Sequence, residues 1–174
     1  MSARVVLTYQ DLGALPADGR RYELHEGELS VTAAPVPAHQ RVLFRLAVAL
    51  DRHVRARGLG EVLISPIDCI FSDITAVQPD IVYVAVDRAG AVSPRGIEGP
   101  PTLAIEILSP STAAIDRGVK LQLYARYGVP YYWIVDIAAR SIEAHVLEGA
   151  GYRRAPDGFP PFSGFWLDLP TLFA

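Results

Sequence analysis

Three residues of this 174-residue chain could act together in catalysis: two acids, Asp80 and Glu106, and the single lysine, Lys120. Fifteen of the sixteen Lys and Arg residues are Arg, so the remaining lysine can occupy a place that a planar guanidinium does not suit. Carboxylate oxygens bind Mg²⁺, and a bound metal neutralises a phosphate and lowers the pKa of water. A nearby ammonium could orient that water or stabilise developing negative charge.

Glu106 is the more informative of the two acids, because it lies inside the apolar run Leu103–Leu108. A buried carboxylate is costly unless a cation, a metal or a proton compensates its charge. The alternative is an edge strand on which Glu106 faces water, and the apolar neighbours argue against it. Asp80 opens another apolar run, at residues 80–86.

Two ordinary explanations of Lys120 stay open at this point. A strong bias toward Arg still leaves one lysine somewhere by chance. Asp116 precedes Lys120 by four residues, which is also the spacing of a common ion pair on a helix surface.

The elements that must position these residues follow from hydrophobic periodicity. Residues 21–25 and 28–32 alternate around Glu26-Gly27, which predicts a hairpin. The apolar stripe of residues 37–57 predicts a helix ended by Gly58. The runs at 61–65, 67–71, 80–86, 102–108, 131–135 and 142–146 predict strands, and residues 111–127 predict a second long helix. We expect one mixed sheet flanked by helices, with an exposed loop at residues 89–101.

Four arginines, Arg41, Arg45, Arg52 and Arg55, share one face of the first long helix. They could follow a phosphate backbone, although a solvated helix face is the commoner meaning of such a pattern. The aromatic strand Tyr131-Tyr132-Trp133 is more typical of a core or a dimer interface than of a base-stacking surface.

The bulk composition indicates one domain, residues 1–174, with an ordinary globular makeup. The net charge of −3 provides no general attraction to nucleic acid, so such binding needs a local basic patch. The single cysteine, Cys69, excludes an intrachain disulfide and a cysteine-based zinc site. We find neither a signal peptide nor a membrane span, and we expect a soluble cytoplasmic protein.

An ordered set of motifs resembles the Uma2 family, also called DUF820, within the PD-(D/E)XK nuclease superfamily. The set comprises Tyr22-Glu23-Leu24 with Gly27-Glu28-Leu29, His39, Gln78-Pro79-Asp80, residues 105–112, Asp116 with Lys120, and residues 124–136. The resemblance implies a restriction-endonuclease-like α/β fold, with a central mixed β-sheet flanked by helices and an N-terminal β-hairpin. It also implies a Mg²⁺- or Mn²⁺-dependent endonuclease that acts on DNA, and a homodimer is consistent with it.

Carried over by position, the resemblance makes Asp80 and Glu106 metal ligands, with the carbonyl of Ile107 as a further ligand. The superfamily's lysine usually stands two residues after the glutamate, where this chain has Leu108, so Lys120 takes that role here. Glu23 could join the site as an acid from an N-terminal element, or it could simply be a polar hairpin residue.

His39 heads the apolar stripe of the first long helix. It could contact substrate or transfer a proton, although a hydrogen-bonded histidine at a helix start is commoner. Two other functions remain open for the whole chain. One is a catalytically inactive module that binds nucleic acid or protein on the same fold. The other, which the lysine disfavours, is a glycosidase with two carboxylates about 5–9.5 Å apart.

Overall fold

The structure, a computed structural model, describes residues 5–174. Its helices are α1 (Tyr9–Leu12), α2 (Pro37–Arg57), α3 (Ala113–Ile115), α4 (Leu121–Arg126) and α5 (Leu169–Leu172). A 3₁₀ segment spans Val86–Ala91, and a π-helical segment, Asp116–Lys120, joins α3 to α4. Within residues 5–174, none of the helices combines the length and the apolar character that crossing a membrane requires.

The strands form two six-stranded sheets. The first sheet has the order β2-β1-β5-β4-β8-β7, and the second has the order β12-β11-β10-β9-β6-β3. The bounds are β1 (Arg21–His25), β2 (Glu28–Thr32), β3 (Gly60–Ile64), β4 (Cys69–Ser72), β5 (Thr75–Val77), β6 (Ile81–Ala85), β7 (Val92–Ser93), β8 (Gly96–Glu98), β9 (Leu103–Ile107), β10 (Tyr131–Asp136), β11 (Ser141–Glu148) and β12 (Gly151–Arg154).

The α/β class and the N-terminal hairpin are confirmed, but the expectation of a single sheet is corrected. Strands β4 and β5 belong to the first sheet and not to the second. Strand β5 pairs with the hairpin, with Leu24 opposite Ala76. Each sheet is mixed, because β4 runs parallel to β8 and β9 runs parallel to β10. Alternation along a short strand gives its buried face but not its pairing partner, so the sequence could not separate the two sheets.

The expected exposed loop at residues 89–101 is also wrong. It contains β7 and β8, and Ile97 of β8 is fully buried opposite Cys69. Gly96 adopts a φ of +135°, and a side chain there would collide with the carbonyl of Asp68. Gly96 therefore permits a close approach of two backbones inside a sheet.

The second sheet carries the core. Every residue of β9 is buried, as are residues 81–84 of β6, so these two strands are covered on both faces. One face packs against the apolar stripe of α2, including Leu46 and Leu50, and against the C-terminal segment. The other face packs against α4 and against residues of the first sheet. Helix α2 ends at Gly58 in the left-handed conformation, as predicted.

Candidate active site

Asp80 and Glu106 meet where two strands of the second sheet run side by side. Asp80 lies one residue before β6, and the first residue of that strand, Ile81, pairs with Ile105 of β9. The antiparallel register therefore brings Asp80 beside Glu106, with both side chains on the same face of the sheet. Both carboxylates are almost fully buried, at 2% and 1% exposure.

Glu106 and Lys120 form the centre of the site together with Glu23 from the hairpin. The Nζ atom of Lys120 lies 2.9 Å from the Oε1 atoms of both Glu106 and Glu23. Tyr124 donates its hydroxyl to the same Oε1 of Glu106 at 2.6 Å. Glu23 also accepts a hydrogen bond from the backbone N–H of Gln78, at 2.6 Å. The lysine therefore joins both sheets through a buried network.

Asp80 accepts hydrogen bonds from three directions. Arg21 donates to Oδ1 at 2.7 Å, and the backbone N–H of Ile107 donates to Oδ2 at 2.8 Å. The Nε2 atom of His39 lies 3.1 Å from Oδ2. His39 therefore positions the carboxylate, as a hydrogen-bonded histidine at a helix start does.

These groups surround one cavity of about 190 Å³. Charged side chains and the segment Ser109–Thr112 both line it. The charged and polar residues that line it include Arg21, Glu23, His39, Asp80, Glu106, Asp116 and Lys120. The two acids and the lysine singled out from the sequence thus share one enclosure.

Acidic groups outnumber basic groups in the cavity wall. Four carboxyl groups, those of Glu23, Asp80, Glu106 and Asp116, face two permanent cations, Arg21 and Lys120. Burial raises the pKa of Glu106, and the attraction of Lys120 lowers it. The negative charges of Asp116 and the other acids raise it further, so that the pKa reaches about 8. Burial likewise raises the pKa of Asp116.

The other two acids remain ionised because their donors outweigh their burial. Burial alone would raise the pKa of Glu23, but the charge of Lys120 and its hydrogen bonds bring it down to about 2. For Asp80, the hydrogen bond with His39 and the charge of Arg21 outweigh burial in the same way, and the pKa is about 2. Glu106 and Asp116, whose pKa values are raised, are therefore the acids that take up protons most readily in this cavity.

Lys120 stays protonated in this enclosure. Burial would lower its pKa, but the charges of Glu106, Glu23 and Asp116 raise it above its ordinary value. Two of its three N–H donors are engaged at 2.9 Å, whereas the Oδ1 atom of Asp116 lies at 3.8 Å, beyond hydrogen-bonding distance. A protonated lysine with a spare donor can bind an anionic oxygen but cannot accept a proton.

The donor set fits Mg²⁺ or Mn²⁺, because two buried carboxylates offer oxygen ligands and the four carboxyl groups of the cavity outnumber its two permanent cations. No group of three or more His, Cys, Asp or Glu side chains in residues 5–174 forms a ready metal cage. Mg²⁺ does not need one, since it commonly takes one or two carboxylates and keeps several waters. The fit thus rests on Asp80 and Glu106, with Ile107 at the same cavity wall.

The predicted arginine face lies elsewhere. None of Arg41, Arg45, Arg52 and Arg55 lines this cavity. Arg45 donates to the backbone carbonyls of Leu172 and Ala174, and Arg55 pairs with Asp51. The apolar stripe of α2 turns toward the sheet, so the arginine face on its opposite side is directed away from the core.

Sequence reasoning missed Arg21 and gave no role to Tyr124. Arg21 and Glu23 are two residues apart on β1, a spacing that places them on one face of the strand. Asp116, Lys120 and Tyr124 follow at intervals of four, which is one face of a helix. Asp116 is 2% exposed, so its pairing with Lys120 is buried and not a surface pair.

Comparisons with known proteins identify the family and the fold of the chain. A family model named Uma2, described as "Putative restriction endonuclease", matches residues 9–168. A solved structure from Anabaena variabilis, described as "a putative nuclease belonging to DUF820", superposes with a TM-score of 0.75. It is 18% identical in sequence, and the match covers 96% of this chain and 97% of that one, which establishes a shared fold. No curated protein matches the sequence. The match over residues 9–168 shows that the chain belongs to the Uma2 family.

Proposed function

We propose that the protein is a Mg²⁺-dependent endonuclease that hydrolyses phosphodiester bonds in DNA. The observation that carries this proposal is the position of Lys120, whose Nζ atom contacts Glu106 at 2.9 Å in the cavity that also holds Asp80. Asp80 and Glu106 would hold the metal, with the carbonyl of Ile107 as a further ligand. A bound Mg²⁺ supplies charge neutralisation at a phosphate and lowers the pKa of a nearby water.

The protein's own groups have separate tasks in this proposal. Lys120, held protonated by Glu23 and Glu106, directs its spare N–H toward a phosphate oxygen or toward the attacking water. His39 and the N–H of Ile107 hold Asp80 in place. Glu23 fixes the lysine and does not bind the metal. Tyr124 orients Glu106 through its hydroxyl.

Cleavage of plasmid and single-stranded DNA with Mg²⁺ or Mn²⁺ tests the proposal. The wild type should cut, and Asp80→Ala, Glu106→Ala and Lys120→Ala should each reduce the rate by ~100-fold or more. Asp87→Ala, at an exposed acid outside the cavity, should cut like the wild type. Equal rates in all five proteins would reveal a contaminating nuclease and refute the assignment.

A rival function is a binding module without turnover. The observation in its favour is that Arg21, Lys120 and Tyr124 already donate to oxygens that a metal would use. That module would bind nucleic acid or protein, and the wild type would leave DNA intact in both Mg²⁺ and Mn²⁺.

A homodimer and a cytoplasmic location remain predictions. Two copies would give an endonuclease one site for each strand of a duplex. The exposed apolar residues Phe44, Val48 and Ile64 line one groove beside β3, an edge strand of the second sheet, and we expect a second copy to cover it. Sedimentation equilibrium of the wild type and of Phe44→Glu would check this, since only the wild type should form a dimer.

A further inference from the structure

The three groups that donate hydrogen bonds to the Asp80 carboxylate differ in how easily they can move away from it. The N–H of Ile107 belongs to the backbone of β9, a fully buried strand, and cannot move without disrupting the sheet. His39 is 5% exposed and is carried by the first turn of α2. Arg21 has a long side chain that is 18% exposed and lines the cavity.

Arg21 donates its hydrogen bond to the Asp80 oxygen that the other two donors, Ile107 and His39, do not contact. Its Nη2 atom lies 2.7 Å from Oδ1, whereas Ile107 and His39 both contact Oδ2. A divalent cation bound to Oδ1 would lie beside the positively charged guanidinium, so the two cations oppose each other at this oxygen. The hydroxyl of Ser65, 3.4 Å from the same Nη2 atom, offers Arg21 a second polar contact beside the first.

We propose that Arg21 is a latch on Asp80, which holds the carboxylate in the metal-free protein and must leave Oδ1 before a divalent cation binds. The latch rests on the proposed function, since it presupposes a metal site at Asp80. It explains how four buried carboxyl groups can be tolerated without metal: the guanidinium compensates one of them until a cation replaces it. Metal affinity is then set partly by a residue that is not a ligand.

The affinity of the protein for Mn²⁺ alone, measured by calorimetry, tests the latch. Arg21→Met should bind Mn²⁺ roughly tenfold more tightly than the wild type, because the competitor for Oδ1 is gone. Arg20→Met is the matched control: Arg20 is the adjacent residue and carries the same charge, but it is exposed and pairs with Asp18. It should leave the affinity unchanged, and equal affinities in all three proteins, or equal gains in both variants, would overturn the latch.

A crystal of the wild type soaked in Mn²⁺ gives a second readout that does not depend on how well the variant folds. The latch requires the guanidinium of Arg21 to be out of hydrogen-bonding distance of Asp80 Oδ1 when Mn²⁺ is bound there. Mn²⁺ on Asp80 with the Arg21 contact intact would disprove the latch and leave the nuclease proposal standing. Absence of Mn²⁺ from both the wild type and Arg21→Met, in crystals and in calorimetry, would instead refute the metal site itself.

Discussion

The ammonium of Lys120 and the carboxylate of Glu106 lie 2.9 Å apart, at 3% and 2% side-chain exposure. Glu106 lies on β9, an interior strand of the second sheet. Lys120 is the last residue of the π-helical segment, which comes after β9 in the chain. A π turn inside an α-helix is rare and is often found at functional sites. This turn carries Asp116 at its start and Lys120 at its end, so it presents both charged groups to the cavity.

Replacing Lys120 with Met should destabilise the protein strongly. The substitution leaves Glu23 and Glu106 buried without their shared cation, and breaking a buried pair typically costs about 3–5 kcal/mol. Arg117→Met is the control, because Arg117 is 39% exposed and pairs with Asp136 and Glu143, a surface arrangement worth roughly 0–1 kcal/mol. Urea unfolding of the metal-free proteins measures both values, and similar losses would mean that the Lys120 network is not buried in solution.

The contribution of Glu106 to the stability of the metal-free protein should fall as the pH rises from about 5 to about 8. The pKa of Glu106 is about 8 in the folded protein and near 4.5 when unfolded, so the folded state binds the extra proton in this window. The stabilisation is complete below pH 4.5 and is lost as the pH approaches 8. The lowered pKa values of Glu23 and Asp80 act only below this window.

Glu106→Gln should remove most of that decline, because glutamine does not titrate. His53 and His145, whose pKa values are lowered by burial, titrate in both proteins, so the difference between the two curves reports Glu106 together with its coupling to Asp116. Thermal unfolding in EDTA between pH 5 and pH 8.5 provides the curves. Parallel curves for the wild type and the variant would show that Glu106 is ionised throughout.

The arginine face of α2 should contribute to DNA affinity through Arg52 and not through Arg45. Arg52 is exposed, and no hydrogen bond or ion pair of its side chain is found within residues 5–174, whereas Arg45 is held by the carbonyls of Leu172 and Ala174. Arg52→Ala should weaken DNA binding in Ca²⁺ and reduce the salt dependence by about one charge. Arg45→Ala should leave the salt dependence of DNA affinity unchanged. If the wild type and Arg52→Ala showed the same salt dependence, this surface would not contact DNA.

Much of the site could be predicted from the sequence because two of its residues are of unexpected types for their surroundings. Glu106 is an acid in an apolar strand, and Lys120 is one lysine among fifteen arginines. Both features are visible without coordinates. Helix α2 and its end at Gly58 were equally accessible, since an apolar stripe and a terminal glycine are local signals.

The parts that could not be predicted depend on contacts between distant segments. Arg21 reaches Asp80 across 59 residues of sequence, and no local pattern distinguishes it from the neighbouring Arg20. The burial of Asp116 depends on the fold around the π turn, whereas its spacing from Lys120 equally suits a surface pair. The division of the strands into two sheets was hidden for the same reason, because strand pairing is set by tertiary contacts.

The most direct test of a shared metal at Asp80 and Glu106 is calorimetric titration of Mn²⁺ into four proteins at pH 8. We predict one site in the wild type and in Asp87→Asn, whose substituted acid is exposed and outside the cavity. Asp80→Asn and Glu106→Gln should each lose that site or weaken it by ~10-fold or more. Identical binding curves for all four proteins would contradict the account.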